Sequence, residues 1–247
     1  MNENQQKYKE TRSRINVLRR TAAEVRNYRI RKKVLLSALS GLVALTAVLF
    51  ICSALHRDLG RLTVGMNKTD MTLYGMTLSE TRDMLYCTSR LNADINERIT
   101  NISIKDLPEN LHMIDGQHNG ENYIAYTFYL EHRGTEVVDY EYELTLSNVT
   151  LGLDEAMRVR LYVEDEYVDY ARTRNDGTGP EPGTVEFYNI NTITKKVVTD
   201  CKPGDKTKYT IVIWLEGDDP ECVDAVIDGM AKVEMNFRVI IPEDQTD

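Results

Sequence analysis

The 247-residue sequence has no HExxH, no GxSxG, no P-loop, no dinucleotide-binding glycine fingerprint and no twelve-residue EF-hand loop. Each absence removes a chemistry that depends on fixed spacing. A zinc protease of the HExxH kind needs two ligands one helical turn apart with a glutamate between them as base. The four histidines, His56, His112, His118 and His132, supply no such pair, and no Ser/His/Asp set has a supporting spacing. Cysteine is also scarce: of Cys52, Cys87, Cys201 and Cys222, Cys52 lies in an apolar run and three lie beyond it. Tryptophan occurs once, as Trp214 inside the apolar run Tyr209–Leu215, where core or inter-sheet packing is the expectation rather than a ligand platform.

What is present is an uneven distribution of charge. Residues 1–33 carry 11 Lys/Arg against 3 Asp/Glu, and the other 214 carry 19 against 36, so the formal net charge of −9 describes neither part. Between them Val34 to Leu55 run for 22 residues without an ionisable carboxylate, amine or guanidinium. This layout excludes an ordinary single-domain cytosolic protein. It also excludes nucleic acid as a partner, because the positive excess is confined to a short arm instead of spread over a folded face.

At about 1.5 Å per residue the segment 34–55 is long enough to cross a hydrocarbon core of about 30 Å. Arg29, Arg31, Lys32 and Lys33 precede it and the sequence after Asp58 turns acidic, so the positive-inside rule places 1–33 in the cytoplasm and 56–247 outside the cell. The span is expected as a retained, single-pass signal anchor in the cell membrane. Cys52-Ser53-Ala54 also has the small residues of a cleavage site, which leaves a removable signal peptide as the other reading. In the arm, Ile15, Leu18, Ala22 and Val25 follow 3-4-3 spacing among basic residues. That pattern makes residues 7–33 a candidate contact for anionic lipid, with a solvated basic tail as the alternative.

Residues 56–118 are expected as a small mixed α/β stalk. Leu62-Thr63-Val64 and Met71-Thr72-Leu73 predict two short strands around an Asn67–Asp70 turn, and Thr77 with Glu80 predicts a capped helix through about Ile99. Asp115–Gly120 reads as a loop. From 119 to 242 the pattern becomes period two. Tyr140, Tyr142, Leu144 and Leu146 alternate with polar residues, and the same alternation recurs in Met157–Val163, Tyr209–Leu215 and Ala231–Val239. Turn chemistry at Arg133–Thr135, Asn175–Gly177, Pro180–Gly183, Lys202–Asp205 and Gly217–Pro220 separates these runs. The fold class is therefore mainly β: an antiparallel, jelly-roll-like sandwich of seven or eight strands, preceded by one membrane helix and followed by a tail at 243–247. The run Tyr123–Leu130, YIAYTFYL, fits either a central strand covered on both faces or an exposed pairing edge.

Two acidic groups are candidate Ca²⁺ ligands, Glu164, Asp165 and Glu166 with Asp169, and the Glu216–Glu221 stretch containing Asp218 and Asp219. The competing reading is a solvated acidic surface, with no cofactor and no catalytic residue. His112 and His118, in loop-like sequence, are the histidines a metal site would use. Cys201 and Cys222 flank one predicted strand and form a candidate disulfide, although an extended strand holds its ends far apart. Asn67, Asn101 and Asn148 open sequons that would matter only in a eukaryotic secretory pathway.

The leader RIRKKVLLSALSGLVALTAVLF, the strand-turn-strand YTFYLEHRGTEVVDYEYELTL and the closing pair KYTIVIWLEGDDPEC and MAKVEMNFRV resemble exported Gram-positive proteins with a SipW-type signal peptide, the TasA and camelysin group, including uncharacterised clostridial members. The resemblance covers about 34–55 and 122–240. It implies a jelly-roll-like domain displayed outside the cell, with biofilm-matrix fibre proteins among the relatives. Camelysin-like proteins are described as metalloproteases, but no matching HExxH is present here and no catalytic residue carries over. The expected function is a non-enzymatic, membrane-anchored surface module for adhesion, matrix or envelope assembly, with a protein partner or self-association outside the cell. A camelysin-like hydrolase and a bitopic component of an envelope machine are the alternatives.

Overall fold

The computed structural model describes residues 3–57, 60–94 and 99–240, leaving out the side chains of 3–4, 13–23, 52, 54–57 and 94. The chain divides into two units, Met1–Arg57 and Asp58–Asp247, each described by itself. The expected tail at 243–247 and the side chains of Ile15, Leu18, Ala22 and Leu55 lie outside the described residues.

The first unit is one helix, α1 (Glu3–Arg57). Its sequence has no proline and no glycine before Gly41, so nothing local breaks it. Glu24–Ile51 is long and apolar enough to cross a membrane. The hydroxyls of Ser37, Ser40 and Thr46 within this stretch bond back to the carbonyls of Val34, Ser37 and Val43, so they present no unsatisfied donor to lipid.

The second unit is a two-sheet sandwich. In chain order its elements are β1 (Arg61–Met66), α2 (Lys68–Tyr74), β2 (Met76–Ser79), β3 (Arg90–Asp94), β4 (Asn101–Ile102), β5 (Gly116–Gln117), β6 (Tyr123–His132) and β7 (Val138–Ser147). There follow α3 (Leu153–Ala156), β8 (Met157–Val163), β9 (Glu166–Ala171), β10 (Val185–Glu186), β11 (Thr192–Cys201), β12 (Lys206–Glu216) and β13 (Lys232–Ile240). The smaller sheet has the order β11-β7-β13-β1-β3. The larger runs β10-β9-β8-β12-β6-β2, with β4 beside β12 and β5 beside β6. Most neighbours are antiparallel as expected, but β1–β13, β9–β10 and β4–β12 are parallel.

The core lies between the sheets and follows from the period-two pattern. In β7 the even residues Tyr140, Tyr142, Leu144 and Leu146 are buried, and β13 meets them with Val233, Met235, Phe237 and Val239. The larger sheet contributes Tyr126, Phe128, Tyr209 and Ile211. Tyr140 and Tyr209 join their hydroxyls across the sandwich at 2.8 Å, which satisfies two polar groups buried in apolar surroundings. Tyr123–Leu130 is a central strand: β6 lies between β12 and β2 and is buried on both faces.

Three expectations for 56–118 need correction. Met71-Thr72-Leu73 lies in α2, not a strand, because Asn67 caps the helix by accepting from the Thr69 N–H at 3.1 Å and Gly75 closes it in the left-handed region at φ 69°. Asp70 on that helix accepts from the Val239 N–H at 3.0 Å, on the side of β13 where the pairing with β1 has ended at Phe237. The helix expected over 77–99 is replaced by β2, a turn region and β3; Glu80 accepts a hydrogen bond from the Tyr126 hydroxyl at 2.6 Å instead of closing a capping box. Lastly, β1 and β3 are strands of the smaller sheet and β2 of the larger, so this region builds the sandwich itself.

Candidate functional site

The residues with the most developed chemistry lie on the outward face of the larger sheet. While Met157, Val159 and Leu161 of β8 point into the core, the alternation sends Arg158, Arg160 and Tyr162 the other way. Beside them β12 places Val212 and Trp214, β6 places Ala125, and β9 places Tyr167 and Asp169. The part of this face around Trp214 is covered. The segment from β4 to β5 crosses it and inserts Leu107 and Leu111 to form a second apolar cluster with Ala125, Tyr162, Val212 and Trp214. The crossing is pinned by Ile104 N–H to Glu216 at 3.1 Å, Ser103 Oγ to Asp218 at 2.9 Å and the Tyr129 hydroxyl to Asp115 at 2.6 Å. Trp214 is fully buried and donates its indole N–H to Glu216 at 2.9 Å. It is a core residue, as one of the two expectations had it, and it packs beneath this covering segment and not between the sheets.

Two arginines are buried here with their counter-ions. Arg160 forms a fork on Asp169, Nε to Oδ1 at 2.6 Å and Nη2 to Oδ2 at 2.9 Å, each residue 7% exposed. Its guanidinium lies 4.1 Å from the Tyr167 ring centre, 5.7 Å from Trp214 and 5.9 Å from Tyr162. Burial pulls the Arg160 pKa down, but the hydrogen bonds to Asp169 and Tyr162 outweigh it and hold it above the ordinary value. Arg158 pairs with Asp219, both almost wholly buried. The aromatic cage that would suit a cationic ligand is thus occupied by the protein's own guanidinium.

The two candidate acidic groups lie at opposite ends of β12. Glu164 and Asp165 form the β8–β9 turn, where Glu164 accepts from the Lys208 N–H at 2.7 Å and Asp165 from Lys208 Nζ at 3.1 Å; Glu166 is exposed. Lys208 holds the Asp165 carboxyl below its ordinary pKa. Asp218 and Asp219 follow the other end of β12, which extends for 11 residues, or about 35 Å. Hydrogen bonds from Ser103 and Lys105 lower the pKa of Asp218, and Asp219 is taken by Arg158. Among the described residues no group of three His, Cys, Asp or Glu could hold a metal ion. His112 stacks on Tyr162 with ring centres 4.8 Å apart, while His118 bonds through Nδ1 to the Gly116 carbonyl at 2.9 Å.

Cys201 and Cys222 are free thiols, correcting the candidate disulfide. Cys201 ends β11 and Cys222 lies in the turn region beyond β12, so that strand separates them. Burial, with Asp205 nearby, also pushes the Cys201 thiol up to about 11, away from the reactive thiolate.

Arg158 and Arg160 were legible as the polar half of an alternating strand, but they read as a wet face. The signal for their burial lies more than 40 residues earlier, in Leu107 and Leu111, whose pattern names no strand to cover.

No family model and no curated protein matches the chain. Among solved structures, a beta-glucosidase from Kluyveromyces marxianus in complex with glucose is 14% identical over 69% of this chain, with a TM-score of 0.26. A GH31 alpha-xylosidase from Xanthomonas citri is 13% identical over 74%, with a TM-score of 0.23. The chain spans only 16% and 17% of those proteins, and likeness at this level carries no functional argument.

Proposed function

We propose that the protein is a membrane-anchored module displayed outside the cell, whose sandwich acts by binding protein in adhesion, matrix or envelope assembly. The observation that supports it is the order of parts: a basic arm, an apolar span within Glu24–Ile51, and then an acidic two-sheet sandwich. Positive charge on the N-terminal side of the span favours a cytoplasmic arm and a translocated sandwich.

Protease treatment of intact cells tests this reading, combined with intact mass of the membrane fraction. The sandwich is expected to be digested from outside while the arm is protected, with the uncut chain retained after a carbonate wash. A sandwich protected in intact cells overturns the topology. A mature N-terminus at Leu55 overturns the anchor.

A further inference from the structure

A sheet protein that associates through strands must offer an open edge; among the described residues the main strand paths of the two sheets end in four, and the off-path β4 and β5 have two residues each. The β11 edge is the longest, at 10 residues, and it is obstructed. Lys196 lies opposite Tyr142, whose ring is buried between the sheets, so an exposed lysine occupies an inward-facing register position. The register also breaks between Thr192 and Thr194 and between Val198 and Cys201, with Asp200 at φ 58°. Inward charge and bulges both discourage strand addition. β10 has two residues, and β2 is closed by Thr88, which exchanges both backbone bonds with Leu78 at 2.9 Å.

The fourth edge, β3, differs. Its five residues pair with β1 in unbroken register from Arg61↔Asp94 to Gly65↔Arg90, and among the described residues β1 is its single strand neighbour. Leu91 and Ala93 are buried; Arg90 and Asn92 are exposed. Met66 N–H donates to the Ser89 carbonyl, so by antiparallel alternation Leu91 and Ala93 turn their backbone groups to β1, and Arg90, Asn92 and Asp94 turn theirs to the open side. Thr88 Oγ1 meets the Arg90 N–H and carbonyl at 3.2 and 3.1 Å; among the described residues the outward Asn92 position stays open.

The strand reads Arg-Leu-Asn-Ala-Asp, which is complementary to itself when reversed. We propose that β3 pairs antiparallel with β3 of a second copy, about a two-fold axis at Asn92, making one continuous sheet from the two smaller sheets. Arg90 of each copy then stands opposite Asp94 of the other, Leu91 opposite Ala93, and Asn92 opposite itself. Such a contact is isologous and closes at two copies, so it yields a dimer and no fibre. Five residues make a small interface, below the roughly 1,000 Å² of stable complexes. Confinement in a membrane supplies the missing concentration. The inference deepens the reading above by naming the partner, and it rests on that reading for this concentrating effect.

The test uses the full chain in liposomes with Cys52, Cys87 and Cys222 replaced by serine. Hydrogen-bonded antiparallel partners sit about 5.5 Å apart at Cα, within disulfide range. Asn92→Cys is therefore expected to form a covalent dimer on mild oxidation, and Lys196→Cys on β11 to stay monomeric. Arg90→Asp and Asp94→Arg, each added to Asn92→Cys, place like charges opposite and are expected to cut cross-linking about tenfold, while the double exchange restores it. Unchanged Trp214 emission verifies the fold of each variant. A monomeric Asn92→Cys, equal cross-linking at Lys196→Cys, or a folded double exchange that does not recover overturns the proposal. Failure of the cell-surface experiment alongside successful cross-linking overturns the topology and leaves the pairing standing.

Discussion

Asp169→Leu should be among the most damaging single changes in the sandwich. It strips the counter-ion from Arg160, which is 7% exposed and held by two charge-assisted bonds of 2.6 and 2.9 Å. Breaking a buried pair by removing one partner costs about 3–5 kcal/mol, since the remaining charge is left without water or compensation. Arg160→Met should cost a similar amount through the stranded Asp169, plus about 0.5–2 kcal/mol of lost attraction to the surrounding rings. In a unit of this size the loss lowers Tm by about 6–20 °C. The double variant Arg160→Met/Asp169→Leu removes both charges and leaves apolar side chains next to Val212 and Trp214, so it should lie within about 2 kcal/mol of the parent. Guanidinium unfolding of the full chain in micelles, followed by emission of the single, fully buried Trp214, measures all three. If the double variant falls to the sum of the singles, the pair is not mutually compensating and the account of this layer is wrong.

Burial raises the pKa of Tyr126, Tyr129, Tyr140, Tyr142 and Tyr209 above 10. The unfolded chain therefore loses these protons first, so the contribution of these phenols to stability should be complete below pH 10 and fall as pH rises beyond it. Phenolate absorbance appearing before unfolding would contradict this. Tyr209→Phe, which removes the bond across the sandwich and leaves the Tyr140 hydroxyl with Thr207, should cost about 0.5–1.5 kcal/mol by denaturant titration. Gly75→Ala should be worse tolerated than a surface change, by about 1–3 kcal/mol, because φ is 69° and the new Cβ would run into the Gly134 backbone. A Tm within 2 °C of the parent would refute that.

Where structure depends on neighbours in the chain, it could be read from the sequence. The helix carrying the candidate span needs only its own composition and internal hydrogen bonds. The alternation in β7 and β13 declares a buried face wherever the partner lies. Even α2 had both local marks, Asn67 and Gly75, which the β-branched and apolar residues between them obscured.

The rest was decided at long range. Thr77 to Ser79 join β6 about 50 residues away, and those ladder bonds outweigh a capping box that could satisfy only its own first turn. The parallel contact of β1 with β13 joins residues about 170 apart and draws the presumed stalk into the sandwich. The burial of Arg158 and Arg160 likewise depends on a segment that crosses a face whose alternation alone announces water. Charge and period thus determine that a helix and a sandwich exist and which side of each strand is apolar. Which edges stay open, and which polar side chains are buried, depends on what else the folded chain brings against them, because burial belongs to the pair of surfaces and not to either segment.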